Sequence, residues 1–300
     1  MLDDAVAEFE LSLMRRPISD NTRKAFAGDV RIFAREMQHQ QPALLTSLNP
    51  DRIRDFLTAL EKRAGANSPK SIERRLTSLK VFFTWLNESG HIATNPTDRI
   101  AYRPFLDPLP EFLSEDETAR VKKAARAVAA EDQMELRPLT ALLLVLDTGM
   151  KKGECLNLTV ADFGGAEGHD LASGGAPNRV TIRYNKLHLK FKTRTLPLSK
   201  EAGKAVAEHV RHYQCRDKII ECTGRNLEYL FNRKVAPKAG LQAVTFEMLR
   251  WTAALSDYRA GALTEEQLQH KYGLSPLGWT EMAAKLQRIV AGESPRSALP

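Results

Sequence analysis

Leu146-Asp147-Thr148-Gly149-Met150-Lys151-Lys152-Gly153-Glu154-Cys155-Leu156-Asn157-Leu158 is the stretch on which the reading of this chain turns. Leu139 to Leu146 is an apolar helical run that ends near Thr148-Gly149, and the polar Lys151-Lys152 follows at once. Upstream, Leu113-Ser114-Glu115-Asp116-Glu117 reads as a helix start, with Ser114 and Glu117 spaced as a capping box. Further upstream, Pro96, Pro104, Pro108 and Pro110 crowd the segment between Asn95 and Pro110. Proline lacks a backbone donor and restrains the residue before it, so this stretch reads as an extended connection and the best domain boundary in the chain. The division expected is a helical domain over 1–103, a linker over 104–112 and a second domain over 113–300.

The first hundred residues read as helices. Ser19 or Asp20 caps a segment from about Asn21 to Met37, whose apolar face holds Ala25, Val30, Phe33 and Met37. Asn49-Pro50-Asp51 opens a second helix carrying Ile53, Phe56, Leu57 and Leu60, with proline suited to the first turn. A third begins at Ser68-Pro69 and places Ile72, Leu76, Leu79, Phe83 and Leu86 on one stripe, and Gly90 stops it. The opposite face carries Lys70, Arg74, Arg75 and Lys80, and the first helix offers Arg23, Lys24 and Arg31. Such residues are either a solvated face or contacts to phosphates, where each cation releases counterions.

Downstream of the quoted stretch, the glycine-rich segment from Gly164 to Pro177 is a loop. Val180 to Tyr184 and Lys190 to Leu198 read as two strands joined around Asn185 to Leu189, and helix resumes from Ser199. The fold class expected is mainly α with a small antiparallel sheet.

Composition narrows the partners. The 300 residues hold 44 Lys and Arg against 37 Asp and Glu, a net charge of +7, which favours a polyanionic partner such as nucleic acid. Hydrophobic residues make up 43% of the chain, enough for ordinary cores. No run of ~18 apolar residues offers a membrane span, and Asp3, Asp4 and Glu8 do not suit a signal segment. Cys155, Cys215 and Cys222 are too few for a disulfide framework and match no zinc spacing, so reduced thiols in a cytoplasmic, nucleoid-associated protein are expected. No cofactor and no metal is expected, because no phosphate loop or ligand cluster is present.

The quoted stretch resembles the helix-turn-helix entry of tyrosine recombinases, the phage integrase superfamily, and the likeness extends over nearly the whole chain. Ile18-Ser19-Asp20-Asn21-Thr22-Arg23 is similar to the opening of that family's helical SAM-like core DNA-binding domain. Ser71 to Leu86 resembles its third or fourth helix and Asn95-Pro96 its exit. Leu109-Pro110-Glu111-Phe112-Leu113-Ser114 looks like the linker into the catalytic domain, and Thr193-Arg194-Thr195-Leu196-Pro197-Leu198 like its sheet edge. The resemblance implies a two-domain architecture and double-stranded DNA as partner, with other recombinase subunits or a second copy of the chain as further partners.

In that family a tyrosine oxygen attacks a backbone phosphate while two arginines clamp it and a lysine from the sheet turn protonates the leaving oxygen. Carried over residue by residue, that machinery is mostly missing here. Lys151 stands at the first arginine position, keeping the charge but not the planar fork. Thr245-Phe246-Glu247-Met248-Leu249-Arg250-Trp251 resembles the His-x-x-Arg segment, with Glu247 in place of histidine; a carboxylate repels phosphate and cannot donate to it. Arg250 alone matches its position.

Alignment back from Pro197 puts Leu189 at the catalytic lysine, with Lys186 and Lys190 close enough that a one-residue shift restores it. Leu268 to Pro276 resembles the Leu-Gly-His-Ser-Ser stretch, with Leu274 at the family's histidine or tryptophan, and the nucleophile position is Ala283. No tyrosine follows Tyr272, and Tyr272, Tyr258 and Tyr229 read as packing residues. The expected DNA contacts are Arg23, Lys24, Lys70, Arg74, Arg75, Lys151, Lys186, Lys190, Lys192 and Arg250.

These residues imply a DNA-binding recombinase homologue without strand cleavage, an accessory or regulatory factor. Two other readings remain open. One is a working strand-transfer enzyme using Tyr272, Tyr258 or a partner's tyrosine. The other is a protein-interaction module, docking through a helix around Met282 to Val290, that has lost DNA binding.

Overall fold

The computed structural model describes residues 1–38, 44–63, 68–103, 108–131, 134–164, 171, 175–184 and 187–292. The chain forms two compact units, Met1–Asp107 and Pro108–Pro300.

The first unit is built from α1 (Leu2–Met14), α2 (Asp20–Gln38), α3 (Pro50–Lys62) and α4 (Pro69–Glu88). Ser19, Asn49 and Ser68 cap the last three of these, each side-chain oxygen accepting a backbone N–H three residues on, at 3.1, 3.0 and 3.2 Å. The stripe expected on α4 is buried in full, together with Phe82. The rings of this unit meet mostly edge-on across its helices: Phe9 on Phe82 at 5.1 Å, Phe33 on Phe56 at 5.2 Å and on Phe83 at 5.8 Å between centroids. The unexpected element is α1. Leu2, Val6, Phe9 and Leu13 are buried at spacings of four, three and four, yet no side chain caps its start, so the usual helix-start signal is missing.

In the second unit, α5 (Glu115–Glu131) carries the expected capping box: the Ser114 N–H donates to Glu117 Oε2 at 2.8 Å, and Ser114 Oγ accepts from the Glu117 N–H at 3.2 Å. α6 (Arg137–Thr148) is the buried centre of this unit, packing against α5, α8 (Lys200–Tyr213) and α11 (Phe246–Ala260). It ends at Gly149, whose φ of 61° is a left-handed cap that suits glycine. α7 (Lys152–Asn157) follows directly.

β1 (Phe163–Gly164), β2 (Arg179–Ile182) and β3 (Arg194–Pro197) form an antiparallel sheet in that order, with Val180 opposite Leu196. The strand expected over Lys190 to Leu198 is therefore shorter at its start. Leu187–Lys192 is a 3₁₀ helix, because the Thr193 N–H turns back to the Lys190 carbonyl at 2.9 Å while Thr193 Oγ1 accepts the Tyr184 N–H at 3.2 Å.

After α8 come α9 (Gly224–Leu230), a π turn over Phe231–Val235 and α10 (Ala236–Lys238). Pro237, with no N–H to offer the preceding turn, falls just after the widened turn. α12 (Glu265–Lys271) and α13 (Pro276–Val290) finish the unit, and their apolar faces join Trp251 and Leu255 in a separate small core. Among the described residues, no helix is long and apolar enough to cross a membrane.

Candidate nucleic-acid interface

The turn between α6 and α7 is where three distant segments meet, held by two buried arginines. The first is Arg194, the opening residue of β3. In the alternation of that strand it shares the inward face with Leu196, and it is 2% exposed. A buried guanidinium needs a buried anion, and Glu154 of α7, 8% exposed, supplies it. Arg194 Nη1 and Nη2 donate to Glu154 Oε1 and Oε2 at 3.2 and 2.9 Å. Its Nε donates to the Lys271 carbonyl at 2.7 Å and Nη1 also to the Lys192 carbonyl at 3.0 Å. Glu154 further accepts the Tyr184 hydroxyl and, at 2.8 Å, the backbone N–H of Lys151. Burial works to raise the Glu154 pKa, but Arg194, Tyr184 and the Lys151 N–H together hold it below the usual carboxylate range. The Tyr184 phenol is pushed up to about 12 by burial and by its bond to Glu154.

The second is Arg250 on α11. Its Nη1 donates to the Gly149 carbonyl at 2.8 Å and its Nη2 to the Tyr272 carbonyl at 3.0 Å, with the guanidinium 5.5 Å from the Tyr272 ring centroid. Tyr272 is completely buried; its hydroxyl donates to Asp257 Oδ2 at 2.6 Å, and Lys271 Nζ lies 2.7 Å from the same carboxylate. Burial and Asp257 push the Tyr272 phenol far above its ordinary pKa. The ring lies so close to Gly149 that a Cβ there would stand 2.1 Å from Tyr272 Cε1.

Around this frame the cations gather. Lys151 keeps an exposed side chain. Its pKa falls below the ordinary lysine value through desolvation of its inner part and the charges of Arg250, Lys192 and Arg194, opposed by Glu154. Mutual repulsion of this kind marks a place where an anion would be welcome. Lys190 is exposed and Lys192 half-buried in the 3₁₀ turn, whereas Lys186 lies outside the described residues. Leu189 is half-buried.

The remaining expected positions are apolar or already engaged. Glu247 is exposed and accepts the Trp251 indole N–H at 2.8 Å. Leu274 and Ala283 are half-buried against the small core of Trp251 and Trp279, and Tyr258 packs there too. Tyr229 is exposed on α9.

The basic residues of the first unit divide. Lys24 and Lys70 are exposed, and Arg23 is paired with Asp20 at 2.7 Å while also donating to the Leu13 carbonyl at 3.2 Å. Arg74 and Arg75 turn to the buried Asp29, Arg74 in direct contact and Arg75 Nε at 3.5 Å, with Ser78 Oγ donating to Asp29 at 2.7 Å. Asp29, 4% exposed, explains why: a carboxylate inside a helical core requires cations beside it.

Sequence reasoning left Arg194, Glu154 and Asp257 without a role. The available signal was phase: a charged residue on the inward face of a strand calls for a buried partner.

A helical unit joined to a second helical unit bearing a three-stranded antiparallel sheet is an integrase fold. Residues 6–90 match the phage integrase N-terminal SAM-like domain. A tyrosine recombinase of Thermosipho africanus is 33% identical over 148 residues, 48% of this chain and 49% of that protein. Tyrosine recombinase XerC of Xanthomonas campestris is 29% identical over 161 residues, 54% of this chain and 46% of that protein. The chain thus aligns with about half the length of the curated relatives it matches. A lambda integrase dimer bound to a core site superposes with a TM-score of 0.72 at 16% identity, covering 93% of this chain and 76% of that one. The Tn1549 transposon integrase in complex with transposon right-end DNA gives 0.68 at 15% identity, covering 95% and 94%. Residues 6–90 thus carry the phage integrase SAM-like domain, and the chain is similar to tyrosine recombinases in sequence over about half its length and to integrases in fold.

Proposed function

We propose that this chain binds double-stranded DNA without cutting it, as an accessory or regulatory factor in recombination, integration or transcription of a mobile element. It would act beside other recombinase subunits or a second copy of itself. The observation that supports an absence of cleavage is Tyr272: it is fully buried, donates its hydroxyl to Asp257 and has its pKa driven up, surroundings unsuited to a nucleophile. Ala283, at the position the resemblance gives to the nucleophile, has only a methyl group packed on an apolar core. Arg250, the one residue that matches the family's phosphate clamp, is turned to two backbone carbonyls. DNA binding is supported by the cationic surroundings of Lys151 and Lys192 and by the exposed Lys24, Lys70 and Lys190. The DNA-bound state of the lambda and Tn1549 integrases points the same way.

The test is a salt series on duplex fragments flanking the gene, some nicked to trap covalent products, followed by SDS. Binding that weakens with salt and disappears in SDS is expected. Lys151→Ala and Lys192→Ala should each flatten the salt dependence by about one unit of slope. A DNA adduct that survives SDS and is lost in Tyr258→Phe or Tyr272→Phe would make the protein a strand-transfer enzyme instead. Absence of any salt-sensitive binding would favour a protein-interaction module.

A further inference from the structure

Phe191 is out of place in this molecule. Its side chain is 60% exposed, whereas every other described phenylalanine is buried or half-buried, and it belongs to none of the apolar cores. It sits between Lys190 and Lys192 in the 3₁₀ turn, and Lys192 Nζ lies over the ring, 5.5 Å from its centroid.

The backbone around it is pinned. The Lys190 carbonyl accepts the Thr193 N–H, the Lys192 carbonyl accepts Arg194 Nη1, and Arg194 is itself locked to the buried Glu154. The tethered turn therefore holds an exposed aromatic ring beside Lys192, and Arg194 and Glu154 link the same turn to the backbone of Lys151. Lysines interleaved with an exposed ring are what single-stranded or unstacked nucleic acid requires: charges follow the backbone and the π-face takes a base.

We propose that Phe191 stacks on an unstacked base of the DNA whose phosphate lies near Lys151 and Lys192, so that the protein prefers gapped or nicked duplex over intact duplex. With Lys192 on one face of the ring, the base would take the other. The inference rests on the DNA-binding reading above, since the lysines must first hold the backbone. An intact duplex keeps its bases stacked on one another and offers no free face, so the preference for interrupted DNA follows from the chemistry of the ring.

The experiment uses the full chain and two probes, an intact duplex and the same duplex with a short gap bearing 2-aminopurine. Wild type should bind the gapped probe more tightly and quench its fluorescence. Phe191→Ala and Phe191→Leu should each lose roughly tenfold in affinity for the gapped probe and the quenching with it. Their binding to intact duplex should stay unchanged, and Phe191→Trp should restore both signals. The ring's exposure means these variants leave the fold intact, which circular dichroism checks.

If wild type binds both probes with a steep salt dependence and Phe191→Ala behaves as wild type, the stacking role is wrong while DNA binding stands. An equal loss on both probes, or a Phe191→Leu variant that retains the quenching, also overturns stacking. If wild type binds neither probe, the DNA-binding reading falls and takes this inference with it.

Discussion

Removing one charge from the Glu154–Arg194 pair should cost this protein far more than an ordinary ion pair would suggest. Both oxygens of Glu154 are fully used: Oε1 accepts Tyr184 and Arg194 Nη1, while Oε2 accepts the Lys151 N–H and Arg194 Nη2. Glu154→Gln keeps the shape but offers one acceptor and an NH2, so at least two buried donors lose their partner. Two orphaned groups at about 1–3 kcal/mol each would cost about 2–6 kcal/mol, and the range found when one member of a buried pair is deleted, about 3–5 kcal/mol, falls inside it. Arg194→Met should cost a similar amount, leaving Glu154 charged in a dry site and the Lys192 and Lys271 carbonyls without their donor. For a unit of this size each kcal/mol lowers Tm by about 2–4 °C, so a fall of roughly 6–20 °C is expected.

The assay is urea or thermal unfolding of the two single variants and the double. Because the double variant no longer buries a lone charge, it should be more stable than the sum of the singles predicts by about 2 kcal/mol or more. The pH dependence gives a second reading. The folded pKa of Glu154 lies below its unfolded value, so its contribution is complete above about pH 4.5 and is lost as pH falls through the native pKa. Glu154→Gln should flatten that acid limb. Single variants that cost under about 1 kcal/mol, or a double that is simply additive, would refute the reasoning.

Two further outcomes are expected. Gly149→Ala combines a φ of 61° with a Cβ 2.1 Å from the Tyr272 ring, so strain of about 1–2 and overpacking of about 1–3 kcal/mol add; Gly261→Ala, with φ 64° and open space around it, should show the strain alone in the same unfolding assay. His209 is buried, donating Nε2–H to the Ile219 carbonyl at 2.8 Å and accepting Thr140 Oγ1 on Nδ1 at 3.0 Å, and burial holds its pKa down to about 4. Nitrogen NMR should find this neutral tautomer down to about pH 4, and stability should decline as pH falls from about 6.5, where the unfolded histidine takes up its proton.

Much of the fold can be read from local signals. The stripe of α4, the caps at Asn49, Ser68 and Ser114 and the left-handed glycine after Thr148 all act within a few residues, and the structure contains each of them. What escapes such reading is pairing at long range. Arg74 and Arg75 look like a solvated basic face until Asp29, on another helix, is seen beneath them. Glu154 and Arg194 are forty residues apart, and neither local pattern announces the other. The shortened β3 has a different, local cause: the Tyr184 N–H donates to Thr193 Oγ1, and the Thr193 N–H turns back to the Lys190 carbonyl, so the hairpin end becomes a 3₁₀ turn that side-chain alternation cannot foretell.

The two buried arginines also determine how the site would meet a ligand. Arg250 ties Gly149 to Tyr272, and Arg194 ties the α7 start to the 3₁₀ turn and the end of α12. Those tethers hold Gly149, the α7 start and the Lys192 carbonyl in place when the protein folds, so an arriving anion would meet a preformed frame at these positions. Association would then be governed by displacement of water and counterions from lysines. The lysines, as point charges on flexible stems, would tolerate small shifts in phosphate position that a guanidinium fork would reject.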